Sequence, residues 1–203
     1  MGVLSGPSFA SEVASGKPTA LSLAVEICSP IMESIQNSIS NDRLRIYLTD
    51  DVKGVELGGI LKNIYSIGSG LCDGLKLGDN ARSAFITRSM SELVSIGKSL
   101  GGRKETFYGL SGFGDLIATC FGDWSRNRSF GQKIGQGLNA CDIINNQKSV
   151  VEGFVSVKCL HEIAQDRLLD TPILNEIYNV LYENKSPELA LNSLMIRNLK
   201  TEF

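Results

Sequence analysis

Apolar and polar residues follow two different rhythms on either side of Asp51. Before it, Thr19 to Val25 (TALSLAV) and Leu44 to Thr49 (LRIYLT) read as short strands by alternation and β-branched content. Between them, Pro30 to Ile39 carries apolar residues three and four apart with proline in the first turn, which predicts a helix. A Gly6-Pro7-Ser8-Phe9 turn stands in front, with room for at most one short strand before it. Two strands alone make no stable sheet, so this segment calls for further neighbours. After Asp51 the spacing becomes helical, with helices expected over Val52 to Leu75, Asn80 to Leu100, Asp115 to Thr119, Ser125 to Gly137, Val151 to Asp166, Pro172 to Tyr182 and Pro187 to Leu199. Asp79 or Asn80, Ser125, Asp170 or Thr171, and Ser186 can serve as N-caps, Pro172 and Pro187 suit first-turn positions, and Gly101 suits a helix stop. The bulk of the chain reads as an all-α domain.

The longest helical stretch, DVKGVELGGILKNIYSIGSGLCDGL, raises a specific question. At 100° per residue, Leu57, Ile60, Ile64, Ile67, Leu71 and Leu75 share one side, and Gly58, Gly59, Lys62, Ser66, Ser69 and Asp73 share the other. Interior glycines each cost a helix about 1 kcal/mol relative to alanine, so several together imply that something approaches the backbone closely. One reading is a second helix packed there, with Lys62 reaching out to water. The other places Lys62 in a narrow cleft, where partial desolvation suits it to proton transfer. Asp73 lies eleven residues on, roughly 16 Å along the axis, too far to be its ion-pair partner.

A second constellation is YGLSGFGDLIAT followed by SRNR. Gly112 and Gly114 form a bend, and Asp115 and Thr119, four apart, share a helical face and can reach one ligand. Ser125 can cap a helix whose first turn carries Arg126 and Asn127, so backbone N–H groups, a guanidinium and an amide converge as an anion site; the plainer alternative is an exposed basic first turn. Glu152 in VVEG is by itself an ordinary solvated carboxylate at a helix start.

Composition narrows the classes. With 203 residues, 42% of them hydrophobic and a net charge of −2, the chain can build one good core and offers no broad cationic field for nucleic acid. No apolar run reaches the length of a membrane span and no signal-peptide pattern opens the sequence, so the expected setting is cytoplasmic. Cys28, Cys72, Cys120, Cys141 and Cys159 are odd in number and never form CxxC, which predicts buried free thiols rather than disulfides or zinc. The Asn127-Arg128-Ser129 triplet would take a glycan only in a secreted chain and is discounted. The GxGxxA at Gly135 follows no strand and is not a dinucleotide fingerprint, and the lone His161 with no GxSxG argues against a serine triad.

Taken in order, the stretches GPSFASE, GVELGGILKNIYSIGSGLCDGLKLGDNARSAFITR, TFYGLSGFGDLIATC, SRNRSFG and VVEGF resemble the carboxyl-terminal part of the bacterial-type NAD(P)-dependent glycerol-3-phosphate dehydrogenases, from about Val3 to the end. The resemblance implies an all-helical domain like the C-terminal domain of 6-phosphogluconate dehydrogenase over residues 51 to 203, preceded over residues 1 to 50 by a strand–helix–strand remnant of an NAD-binding Rossmann domain. It implies that Lys62 is the catalytic lysine and that Gly6, Ser8, Lys62, Asp115, Thr119, Ser125, Arg126 and Asn127 hold substrate. By the same resemblance Ala10, Arg126, Val150 and Glu152 touch the nucleotide, NAD or NADP, whose main site lies in a half of the family's fold that these residues do not contain. RSMSE at Arg88 to Glu92 departs from the family's usual RGLAE. The implied activity is interconversion of dihydroxyacetone phosphate and sn-glycerol 3-phosphate for glycerophospholipid synthesis, with a small phosphate ester as partner, no nucleic acid, no membrane insertion, and a homodimer left open. The 203-residue chain by itself is expected to be inactive. The alternative is a non-enzymatic helical module that works only by associating with a separate nucleotide-binding half.

Overall fold

The computed structural model describes residues 2–26, 30–146, 149–199 and 201–202; Cys28 lies outside them. Three strands, β1 (Gly2–Ser5), β2 (Thr19–Val25) and β3 (Leu44–Thr49), alternate with two helices, α1 (Ala10–Ala14) and α2 (Pro30–Ile39). They form one sheet in the order β1-β2-β3. β1 runs antiparallel to β2 with Gly2 opposite Val25, and β2 runs parallel to β3 with Thr19 opposite Leu44. The short strand for which the sequence left room is therefore present and supplies the third strand. Leu21, Leu23 and Ile46 form a small core under the sheet, with Met32 of α2 packed on it.

From Val52 onward the described chain is helical: α3 (Val52–Gly74), α4 (Gly78–Ser99), α5 (Lys104–Phe107), a π-helical turn (Leu110–Gly114), α6 (Asp115–Phe121), α7 (Arg126–Gly135), α8 (Ala140–Asn146), α9 (Glu152–Asp166), α10 (Pro172–Tyr182) and α11 (Pro187–Met195). The four-residue α5 and the seven-residue α8 escape the periodicity because neither is long enough to display it. The bend expected at Gly112 is the π-helical turn. α4 begins earlier than expected, and its N-cap is Leu77; Asp79 sits in the first turn and accepts a hydrogen bond from Arg82. Ser125 and Ser186 do cap their helices, accepting from the amides of Arg128 and Leu189. α11 stops at Met195, and Leu199 is exposed.

α3 is the axis of the main core. Leu61, Ile64, Tyr65 and Ile67 are completely buried, and so are Ser66 and Ser69 on the side that sequence alone marks as polar. Ser66 donates to the Asn63 carbonyl and Ser69 to that of Cys120, so both hydroxyls are satisfied inside. Ile60, expected on the apolar side, is instead exposed. The two-faced picture fails because α3 is packed nearly all round. Its glycines are what permit this. A Cβ on Gly70 would lie 2.0 Å from the Arg128 carbonyl oxygen, and one on Gly131 of α7 would lie 1.9 Å from that of Ile67. Gly74 and Gly135 repeat the reciprocal contact one turn on. Gly58 does the same toward the π-helical turn, where a Cβ would meet the Ser111 carbonyl at 2.4 Å. A second helix, α7, accounts for Gly70 and Gly74 and the π-helical turn for Gly58, but Lys62 does not reach out to water as that reading supposed: it pairs with Asp115.

The start of α3 is locked by Asp51, which accepts from the amides of Gly54 and Arg103 and from the Thr106 hydroxyl. The buried start of α10 is served by a remote group. Thr171 stands at the N-cap position without capping through its side chain. Glu92 of α4 takes that role, its carboxylate accepting from the amides of Ile173 (2.6 Å) and Leu174 (3.1 Å) and from Tyr65 Oη (3.3 Å). Burial pushes Glu92 up to about 7, with the two amides and Tyr65 opposing the shift. The cysteines divide: Cys72 and Cys120 are buried, and burial raises both thiols, whereas Cys141 and Cys159 are exposed, contrary to the expectation of uniformly buried thiols.

Two stability predictions follow from these contacts. Gly131→Ala forces apart two helix backbones and should cost at least ~2 kcal/mol in urea denaturation; an unchanged midpoint would contradict the close approach. Because Glu92 holds its proton more tightly folded than unfolded, its contribution is greatest below its ordinary range and is lost as pH rises to about 7. Wild-type stability measured against Glu92→Gln should therefore fall by roughly 3 kcal/mol between pH 4.5 and 7 and level off above. A difference that rises with pH would show the opposite shift.

Candidate active site

Lys62 projects from the middle of α3 toward the first residue of α6. Its ammonium is hydrogen-bonded to Asp115 Oδ2, and the lysine side chain retains 21% exposure while that of Asp115 retains 6%. The sequence could not offer this partner, because it lies 53 residues away and is brought in by the π-helical turn. Desolvation raises the Asp115 carboxyl above the usual aspartate range, and the Lys62 charge, with the hydrogen bonds from Lys62 and Thr119, opposes it. Thr119 Oγ1 donates to the Asp115 carbonyl at 2.6 Å and lies 3.3 Å from its Oδ1. Thr119 is thus beside Asp115 as the four-residue spacing predicts, with its proton directed into its own helix.

The next residue on α3, Asn63, starts a second cluster. Its Nδ2 donates to Glu152 Oε2 (3.1 Å) and to the Gly59 carbonyl (3.3 Å), and its Oδ1 accepts from Asn127 Nδ2 (3.0 Å). Asn127 Oδ1 accepts from the Gly153 amide (2.9 Å). Arg126 Nη2 stands 3.5 Å from Glu152 Oε1, both side chains more than half exposed. Arg126 and Glu152 therefore meet at the surface, at the first positions of α7 and α9, above a buried floor made by Asn63 and Asn127. Ser125 is buried as the cap of α7. Of the two groups expected to converge as an anion site, the Arg126 guanidinium is at the surface, while the Asn127 amide is buried and engaged with Asn63 and Gly153.

Gly6 adopts a φ of +142°, and Ser8 Oγ donates back to its carbonyl at 3.0 Å. Pro7 lies within 4 Å of where a Cβ on Gly114 would be, so the turn abuts the residue before Asp115. Ala10 and Val150 are exposed, at the first position of α1 and just before the α9 N-cap. The structure thus assembles Lys62, Asp115 and Thr119 in one group and Arg126, Asn127 and Glu152 in another, and the turn that carries Gly6 and Ser8 comes near the first through Pro7, which lies by Gly114. Sequence reasoning missed Asn63; an asparagine in the interior of a glycine-rich helix, next to the lysine, was the available signal, since asparagine is a poor helix former unless its side chain has partners.

Asp73 belongs to neither group. It accepts from Arg82 Nη1 (2.9 Å) and Arg128 Nε (2.7 Å), joining α3, α4 and α7. His161 stacks on Tyr178, and its Nδ1 lies 3.1 Å from Asn175 Oδ1. Among the described residues no group of His, Cys, Asp and Glu could hold a metal ion, and no helix is long and apolar enough to cross a membrane.

Residues 51–192 match the family model for the NAD-dependent glycerol-3-phosphate dehydrogenase C-terminus. The chain belongs to this family. Glycerol-3-phosphate dehydrogenase [NAD(P)+] of Solidesulfovibrio magneticus is 44% identical over 200 residues, covering 98% of this chain and 60% of the relative. The enzyme of the same name from Thiobacillus denitrificans is 45% identical, covering all of this chain and 61% of the relative. The crystal structure of glycerol-3-phosphate dehydrogenase from Coxiella burnetii superposes with a TM-score of 0.91 at 40% identity, covering 97% of this chain and 60% of that one. The chain thus spans about 60% of the length of the curated relatives it matches. The family is one of NAD(P)-dependent oxidoreductases, in accord with the resemblance read from the motifs.

The Lys62–Asp115 pair generates a direct test. Replacing Lys62 by methionine removes the charge that opposes desolvation, so the Asp115 carboxyl should titrate still higher in the variant than in the wild type. Carbon-13 NMR titration of the carboxyl reads this, and a downward move on loss of the lysine would contradict the pairing.

Proposed function

We propose that this chain holds the substrate and transfers the proton in the interconversion of dihydroxyacetone phosphate and sn-glycerol 3-phosphate with NAD(P)(H). The observation that carries the reading is the pairing of a half-hidden ammonium on a buried carboxylate with a surface guanidinium, set on and beside adjacent residues of one rigid helix. In this reading residues 51 to 203 are the substrate domain and residues 1 to 50 belong to the nucleotide-binding domain. The cytoplasm and glycerophospholipid synthesis are the setting.

A nicotinamide cofactor, when bound, exchanges a hydride with the carbonyl carbon. Of the residues that the resemblance assigns to the nucleotide, Ala10 and Val150 would offer exposed apolar contact, and Arg126 and Glu152 one charge of each sign. Lys62 gives a proton to the carbonyl oxygen as negative charge develops there, and in reverse its neutral amine takes the hydroxyl proton. Asp115 keeps the ammonium in place. Arg126 grips the phosphate. Its contact with Glu152 is long and solvated, weak enough for a dianion to displace. Fixing the phosphate orients the reacting carbon end toward Lys62.

In the complete enzyme Lys62→Ala should lower kcat by ~10²-fold or more with a smaller effect on KM, and Lys62→Arg should not rescue, because guanidinium holds its proton too tightly. An effect confined to KM would make Lys62 a binding residue. Arg126→Ala should weaken glycerol 3-phosphate by ~1.5–3 kcal/mol and glycerol far less, read by calorimetry. Equal loss for both ligands would remove the phosphate role. The purified 203-residue chain, which carries no GxGxxG after a strand, should show no turnover with NADH above a Lys62→Ala control.

A further inference from the structure

The polar floor beneath Arg126 is a closed circuit whose direction is fixed by its ends. The Gly153 amide is a donor and nothing else, so the Asn127 atom 2.9 Å from it is the carbonyl oxygen. That leaves the Asn127 NH₂ facing Asn63, which must present Oδ1 at 3.0 Å. Asn63 is then left with its own NH₂ toward Glu152, whose carboxylate can only accept, at 3.1 Å. Side-chain amides have two indistinguishable ends, yet a backbone donor at one terminus and a carboxylate at the other admit a single orientation of both. Donor and acceptor at the two termini are neighbours in sequence, Gly153 and Glu152, so the circuit closes on the first turn of α9. It ties that turn and the first turn of α7 to α3 at the residue after Lys62. Asn63 and Asn127 are both buried, so a reversed or broken link leaves an uncompensated polar group inside.

We propose that Asn63 is a positioning residue, which sets the first turns of α7 and α9, and with them the anion-holding Arg126, at a fixed place relative to Lys62 through this one-way amide relay. The inference rests on reading Arg126 as the phosphate-holding residue. Asn63→Asp keeps shape and volume but turns the last link into carboxylate against carboxylate. Glu152→Gln restores a donor opposite it, because the Gln amide can give a hydrogen bond to Asp at position 63.

The test is a double-mutant cycle on the 203-residue chain with two readouts, thermal melting and calorimetric binding of glycerol 3-phosphate. Asn63→Asp should lower the melting temperature by about 5 °C or more and weaken glycerol 3-phosphate at least ~10-fold. Glu152→Gln keeps an acceptor opposite Asn63 and should lower melting far less, and its own glycerol 3-phosphate affinity is the reference against which the double variant is read. The double variant should melt and bind close to Glu152→Gln alone, a rescue that a residue serving only to fill space would not give. A double variant as impaired as Asn63→Asp, or worse, overturns the relay. Rescue of melting without rescue of binding keeps the circuit but overturns its positioning role. If the wild-type chain binds no glycerol 3-phosphate, the phosphate reading and the positioning role fall together, while the melting cycle still decides whether the relay exists.

Discussion

The contact on which the rest depends is the backbone-to-backbone approach of α3 and α7. Helices with ordinary side chains keep their axes 8–10 Å apart, and a methyl group at Gly70 or Gly131 would already collide with the opposing carbonyl. Glycine on both surfaces removes that spacer. The loss of helix propensity, about 1 kcal/mol per interior glycine, is offset by burial on a helix surrounded by neighbours. A closer approach also brings short polar side chains within reach of each other: Asn63 and Asn127, with two side-chain carbons apiece, can meet only if their helices nearly touch.

This approach explains why the site has two parts with different electrostatic characters. Lys62 and Asp115 form a sheltered pair, in which a buried carboxylate is tolerable because an ammonium lies against it. Arg126 and Glu152 form an open pair, in which solvent weakens the attraction and a ligand can intervene. Adjacent residues of α3 serve the two, so their relative placement is set by one turn of helix and not by loop geometry. Farther along the same helix, Asp73 binds two arginines and fixes α4 and α7 at the distal end, beyond the site.

Much of this was legible in the sequence, for identifiable reasons. Long helices announced themselves because 22 or 23 residues carry several turns of apolar periodicity, as in α3 and α4. The seryl caps of α7 and α11 were readable because capping is local, while the cap of α10 was not, since Glu92 arrives from 81 residues away. Lys62 and Arg126 could be singled out by type and neighbourhood. The Asp115 partnership, the inward turn of Asn127 and the partners of Asn63 could not, because each depends on which helix faces which. The glycines of α3 posed the right question, and only the packing showed that a helix on one side and the π-helical turn on the other both answer it.

The most direct measurement is a crystal structure of the chain with glycerol 3-phosphate. The account requires the phosphate to lie within hydrogen-bonding distance of Arg126, the C2 hydroxyl to face the Lys62 ammonium, and the Asn63–Asn127–Gly153 hydrogen bonds to persist beneath. A ligand seated away from Lys62, with Arg126 still held by Glu152, would contradict it.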